Sequence, residues 1–296
     1  MAAAQHGLVS DKQALAAGLS PSSIHHRVRT GRWERILPRV YRISGAPDSW
    51  GQRLMAACLW AGEGSAVSFA PAAALWGIEG FPRRTVEIST VANLKPRGRD
   101  MVVHRMDGNL LKDLVVIDGI PVTSIRRTLL DLAGAKHRRA EIALDRALRK
   151  ELTSLGQMCL FYEEEWTRGR RGIAILRDLL AQRVPGQAPT DSDLELELLR
   201  LIKRAGLPRP VTQHPVDAGG ITLHPDLAYP EIKLAIECDG YAWHNDREAR
   251  DRDNDRDIML QTAGWTVLRF SWTKIHYQPA QVIAVLRTHL APLLAA

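Results

Sequence analysis

The sequence predicts an α/β multidomain protein, and three observations carry that prediction. Positive charge is front-loaded: of the formal net +7 over 296 residues, the first 60 contribute +5, with eight Lys or Arg against three acids. The hydrophobic period changes along the chain, from short capped helices to alternating strands, then a charged helical stretch, then a mixed pattern. The last hundred residues hold a segment, His224 to His244, that sets Asp226 ahead of a short apolar strand ending in Glu237, Cys238 and Asp239. A hydrophobic content of 45% is enough to bury sizeable cores in two or three domains.

The first part spans 1–45. Residues 11–17 read as a helix that stops at Gly18, where left-handed backbone carries no Cβ penalty. Ser20 caps a second helix with Pro21 in its first turn, and Ile24 and Val28 share its buried face. Gly31 ends it. Residues 32–43 interleave apolar and basic side chains as a short β-ribbon. Helix, turn, basic helix and ribbon together predict an N-terminal winged helix-turn-helix. On it, Ser22, Ser23, His26 and Arg29 are expected to approach base edges or phosphates, with Arg32 and Arg35 gripping the nucleic-acid backbone. A small helical cap with solvated arginines is the plainer alternative.

Residues 46–135 read as an α+β middle region, with helices near 53–61 and 68–78, strands near 85–91, 100–106 and 114–124, and a closing helix over 126–134. His104 and Arg105 fit an exposed strand edge there. Residues 136–189 form a helical connector and linker, in which Arg168, Arg170 and Arg171 read as solvated. The final domain, 190–296, is a mixed α/β domain. A capping box at Ser192–Glu195 opens a helix to Gly206. Strands follow near 210–216, 220–229 and 233–240. A charged helix reaches Gly264, and a strand over 265–272 and a C-terminal helix complete the domain. The Arg/Asp run 247–257 reads as a solvated helix face, with Arg250 and Arg252 its candidates for phosphate contact. Trp243, Trp265 and Trp272 read as core.

The chemistry lies in that last domain. Strand side chains alternate faces, so Glu237 and Asp239 share one side of the sheet. Eleven positions separate Asp226 from Glu237, enough for a hairpin to bring the two together. Three acids without a cation in a strand-rich core are costly unless a metal neutralises them. That reading is a Mg²⁺-dependent phosphodiesterase, with Mn²⁺ as a substitute. A pI near 9.6 agrees with an anionic partner. Cys58, Cys159 and Cys238 have neither zinc-ligand nor disulfide-framework spacing. No signal peptide and no apolar run of about 20 residues is present, so a cytoplasmic protein without a membrane partner is expected.

Two resemblances sharpen these expectations. The order Pro225-Asp226, Glu237-Cys238-Asp239, Gly240-Tyr241-Ala242-Trp243-His244, Arg250 to Asp253 and Val267-Leu268-Arg269-Phe270 resembles the very-short-patch-repair-like branch of the PD-(D/E)XK nucleases. More closely, it resembles a large bacterial family of uncharacterised domains assigned to that branch. The resemblance covers about a third of the chain and implies a restriction-endonuclease-like domain. It also implies Asp226 and Glu237 as Mg²⁺ ligands with the Cys238 carbonyl as a third, and Glu195 as an accessory acid. The usual Lys of the motif is Asp239 here, leaving it a further ligand or an orienting group. His244 is the natural general base or acid, with a reference pKa of about 6.5, and Lys233 a source of positive charge. Each has a bland alternative: Asp226 as a turn residue, Glu237 paired structurally with Arg269, His244 as a packed core histidine.

The N-terminal stretch from Gln5 to Ile43 resembles the winged-helix domain of AbiEi-type antitoxins from type IV toxin–antitoxin systems, and residues 120–133 resemble the core that often follows it. These likenesses imply double-stranded DNA as partner and raise a cognate toxin as another. The competing function is an antitoxin-like transcriptional regulator with a catalytically inactive nuclease fold.

Overall fold

The computed structural model describes residues 2–96, 100–106, 112–136, 138–166, 171–183, 191–239 and 247–294. The chain divides into two compact units, Met1–Ser154 with Gly169–Leu176, and Leu155–Arg168 with Arg177–Ala296.

The first unit begins with β1 (Leu8–Ser10), α1 (Asp11–Ala16), α2 (Pro21–Arg29), β2 (Trp33–Leu37) and β3 (Val40–Ile43). Local chemistry explains the helices. Ser10 and Gln13 form a reciprocal capping box on α1. Ser20 accepts from the Ser23 N–H, with Pro21 in the first turn of α2. The β2–β3 hairpin turns at Arg39, whose φ is +63°. The antiparallel sheet runs in the order β1-β3-β2, and Val9, Ala14, Ile24, Trp33 and Tyr41 form a small core beneath it.

The unit continues with α3 (Trp50–Ala61), β4 (Ser65–Val67), α4 (Phe69–Leu75), β5 (Val86–Thr90), β6 (Met101–Arg105), β7 (Leu114–Ile117), β8 (Ile120–Thr123), α5 (Ile125–Gly134) and α6 (Ala140–Arg149). Five strands form one mixed sheet, ordered β6-β5-β4-β8-β7. Residues 114–124 are a hairpin: Asp118 and Gly119 both take positive φ, the pattern of an Asp-Gly type I′ turn. Side chains bond across the expected boundary at 45/46. Gln52 Nε2 donates to the His6 carbonyl at 2.7 Å, and Arg42 Nη1 to Gln52 Oε1 at 3.3 Å. His104 is no plain exposed edge either, because its ring pairs with Glu87 at 2.7 Å and stacks on Phe69.

The expected connector 136–189 does not stand apart. The first unit takes α6, and the second takes α7 (Leu155–Trp166); α8 (Ile173–Ala181) has residues in both. The second unit then holds α9 (Asp191–Arg204), β9 (Val211–Thr212), β10 (Val216–Asp217), β11 (Thr222–Leu223), β12 (Leu227–Tyr229), β13 (Leu234–Asp239), α10 (Arg247–Thr262), β14 (Thr266–Ser271), α11 (Trp272–Tyr277) and α12 (Pro279–Leu294). Each of the two expected strands 210–216 and 220–229 splits in two. Their inner halves, β10 and β11, pair as a separate hairpin.

The main sheet runs β14-β13-β12-β9. Strand β13 pairs antiparallel with β12 and parallel with β14. Leu234, Ile236 and Cys238 join a core with Leu194, Leu198 and Ile202 of α9 and Val282, Leu286 and Leu290 of α12. The alternate residue Ala235 packs instead with Leu260 of α10. Period-two alternation therefore turns Glu237 and Asp239 toward α10. Among the described residues, no helix is long and apolar enough to cross a membrane.

Candidate active site

Pairing of Leu227 with Ile236 places Asp226, one residue before β12, opposite Glu237. The Cys238 N–H donates to Asp226 Oδ2 at 2.8 Å, and Gln213 Nε2 lies 3.5 Å from Oδ1. Glu237 is only 6% exposed. Burial, and after it the Asp226 charge, pushes its carboxyl up to about 7, against the opposing pull of Arg256 and Arg269. Two adjacent carboxylates, one of them short of compensating charge, are hard oxygen donors of the kind Mg²⁺ accepts, since that ion keeps several waters. Among the described residues, no group of three or more His, Cys, Asp or Glu could hold a metal by itself.

Two guanidiniums share this face, which corrects the expectation of acids without a cation. Arg256 of α10 approaches Glu237 Oε1 through Nε at 3.3 Å and donates through Nη2 to the His224 carbonyl. Arg269 of β14 forks onto Asp257 at 2.7 and 2.8 Å and donates to Asp239 through Nη1. The structural ion pair of Glu237 is thus with Arg256, whereas the carboxylates bonded by Arg269 include Asp239 and Asp257. The Arg/Asp run is not simply a solvated face, since Arg256 and Asp257 both turn onto the sheet. Helical spacing held part of the signal: Arg256, Leu260 and Ala263 recur at i, i+4 and i+7.

The remaining expected residues fall in several places. Lys233 does not supply charge to Glu237: it has φ +49° at the far end of β13, with Nζ toward Gly264. Glu195 sits on α9, close enough that its charge, with that of Asp226, adds to the burial that raises the Cys238 thiol. The Cys238 side chain is buried in the core, so any ligand from that residue would be its carbonyl. His244 and Trp243 lie outside the described residues, as do the side chains of Arg250 and Arg252. Trp272 is buried and stacks on His276, as a core residue should.

One site neighbour left no trace in sequence spacing. Glu163 of α7 accepts from Ser271 Oγ at 2.9 Å, where β14 meets α11. Burial raises its carboxyl, Thr273, Ser271 and Lys274 oppose that rise, and the Asp239 charge adds to it.

In the first unit, His26, Arg29, Arg32 and Arg35 are exposed. Arg35 lies over the Tyr41 ring at 5.8 Å, and Arg27 over Trp33 at 5.4 Å. Ser22 and Ser23 are less available than expected, because their hydroxyls lie 2.9 and 3.0 Å from the capping Ser20 Oγ.

Comparison with known proteins matches residues 1–44 to the AbiEi antitoxin family of transcriptional regulators and residues 195–290 to REase_MTES_1575, a restriction-endonuclease-like family. The class is therefore an antitoxin-type N-terminal segment joined to a restriction-endonuclease-like C-terminal domain. The whole chain is similar to "Uncharacterized protein MT2308" of Mycobacterium tuberculosis (strain CDC 1551 / Oshkosh) and "Uncharacterized protein Rv2248" of Mycobacterium tuberculosis (strain ATCC 25618 / H37Rv). Each is 30% identical over 269 residues, covering 89% of this chain and 94% of the relative. The chain belongs to the family of these mycobacterial proteins.

Proposed function

We propose that this protein binds double-stranded DNA through residues 1–45 and hydrolyses phosphodiester bonds with a divalent cation held in its C-terminal domain. The observation that carries the reading is Asp226 fixed to the main chain beside the buried Glu237. These two carboxylates hold Mg²⁺, or Mn²⁺ in its place, with the Cys238 carbonyl as a third ligand. Bound there, the ion supplies a water acidic enough to ionise near neutral pH and positive charge for the phosphate. His244 takes or returns the proton, and Glu195 orients water from α9. Asp239 is held by Arg269 and acts in orienting the site.

The helices and hairpin of residues 1–45 act as a winged helix-turn-helix. His26 and Arg29 approach bases or phosphates, Ser22 and Ser23 the backbone from the helix start, and Arg32 and Arg35 the flanking phosphates. Such a protein works on DNA in the cytoplasm, and a cognate toxin is its second class of partner.

A second reading is an antitoxin-like regulator with an inactive nuclease fold. Asp239, standing where a Lys is usual and tied to Arg269, favours it.

The test is nicking of supercoiled plasmid in Mg²⁺, Mn²⁺ or EDTA, with wild type beside Asp226→Ala and Glu237→Ala. Metal-dependent nicking lost in both variants supports the nuclease. DNA binding without cleavage, unchanged by either substitution, supports the regulator.

A further inference from the structure

The face of the sheet that carries Asp226 and Glu237 also carries Asp239, Asp257, Arg256 and Arg269. Four of these described side chains are carboxylates and two are guanidiniums. The two arginines are held very differently. Arg269 forks onto Asp257 with two bonds and spends a third on Asp239, and its side chain is 23% exposed. Arg256 touches Glu237 side-on through Nε alone, takes one main-chain carbonyl, and is 35% exposed. Its Nη1 has no partner among the described residues. A guanidinium forked onto one carboxylate is a fixed strut, whereas one that reaches its carboxylate through a single, longer Nε contact and is partly exposed can leave that carboxylate with less lost.

Resting on the nuclease reading above, we propose that Arg256 is an exchangeable counter-ion. It occupies Glu237 while the site is empty, leaves when a divalent cation binds there, and then takes a non-bridging oxygen of the scissile phosphodiester. With the cation seated, Glu237 no longer needs the guanidinium, and an incoming phosphodiester brings one further negative charge. Arg256 sits on α10, whose neighbouring Asp257 is locked to Arg269. Its Cα therefore stays in place while the side chain swings. Arg256 competes with the metal and serves the substrate, so removing it should move the two properties in opposite directions.

The test uses the full chain with Arg256→Gln and Arg256→Lys, with circular dichroism and thermal melting to confirm folding. Manganese binding without DNA, by titration calorimetry or loss of the free-ion EPR signal, should be roughly tenfold tighter in Arg256→Gln, because a cation near the ligands is gone. Single-turnover nicking at saturating protein should fall roughly 10²-fold. Arg256→Lys should lie between wild type and Gln on both scales. Saturating protein matters because residues 1–45 would otherwise hide a loss of affinity at the second unit. Parallel weakening of manganese binding and nicking would make Arg256 a structural clamp and overturn the inference. Nicking within twofold of wild type in Arg256→Gln would overturn it as well. A wild-type chain that neither binds manganese nor nicks would remove the nuclease reading itself, a result distinct from either.

Discussion

The Cys238 N–H donates to Asp226 Oδ2 at 2.8 Å, so the carboxylate ahead of β12 is anchored to the main chain of β13. Asp226→Ala removes a hydrogen bond to a charged acceptor and leaves that N–H without its partner. A loss of about 1.5–3 kcal/mol is expected in urea unfolding. Asp226→Asn should keep most of that stability. It should also bring the titration of Glu237, followed by carboxyl NMR, below about 7, because the Asp226 charge is the second cause of its rise.

Glu237 gives stability an inverted pH dependence. Its folded-state carboxyl is raised above the ordinary value of 4.5 to about 7, so the folded protein holds the proton more tightly than the unfolded chain. Stability is therefore lost as pH rises from about 4.5 to about 7. Glu237→Gln cannot ionise and escapes that loss. It should be more stable than wild type at pH 8 by on the order of 1–3 kcal/mol and nearly equal at pH 4. Denaturant melts at the two pH values, without divalent metal, check this; a wild type favoured at pH 8 would contradict it.

In the first unit, Arg127 is 1% exposed and bonded to Asp131 at 2.8 Å, one helical turn on in α5. Burial, opposed chiefly by Arg127, pushes the Asp131 carboxyl up to about 6. Asp131→Ala leaves a buried guanidinium with Asp113 as its remaining ion pair and should cost about 3–5 kcal/mol. Replacing both residues, Arg127→Met with Asp131→Leu, should cost far less. A double-mutant cycle on thermal unfolding measures the difference.

For DNA binding, Arg29→Ala and Arg32→Ala should each weaken affinity for duplexes of any sequence and reduce the salt slope by about one. His26→Ala should instead alter sequence preference if its ring meets base edges. Fluorescence anisotropy across a salt series separates these outcomes. Unchanged slopes would return the arginines to the role of solvated surface.

Gly156 sets how α7 meets α11. A Cβ there would stand 2.5 Å from the Tyr277 ring, near its attachment to the backbone, where it has no room to yield. Gly156→Ala should cost about 1–3 kcal/mol. By displacing Glu163 from Ser271, it should also slow nicking while leaving duplex binding by residues 1–45 intact.

The parts legible in the sequence depend on neighbours along the chain. Ser20 and Pro21 cap and start α2 through bonds within one turn. The alternation of β13 puts Glu237 and Asp239 on one side because successive Cβ atoms alternate. The hairpin bringing Asp226 to Glu237 follows from their spacing. Hairpins at Asp118-Gly119 and between β10 and β11 were marked by glycine, yet longer strands were expected there. Runs of apolar residues do not say where pairing stops.

Identity and alternation of the acids on β12–β13 were thus determined by the sequence itself. Which cations face them was decided only by tertiary structure. Arg256 reaches Glu237 across 19 positions, Arg269 reaches Asp239 across 30, and Ser271 meets Glu163 across 108. Such pairings follow from how α10, β14 and α7 pack on the sheet, and helical or strand periodicity constrains one element at a time. Charge compensation at a buried site is a property of the assembled fold, because desolvation and Coulomb interaction depend on distance in space.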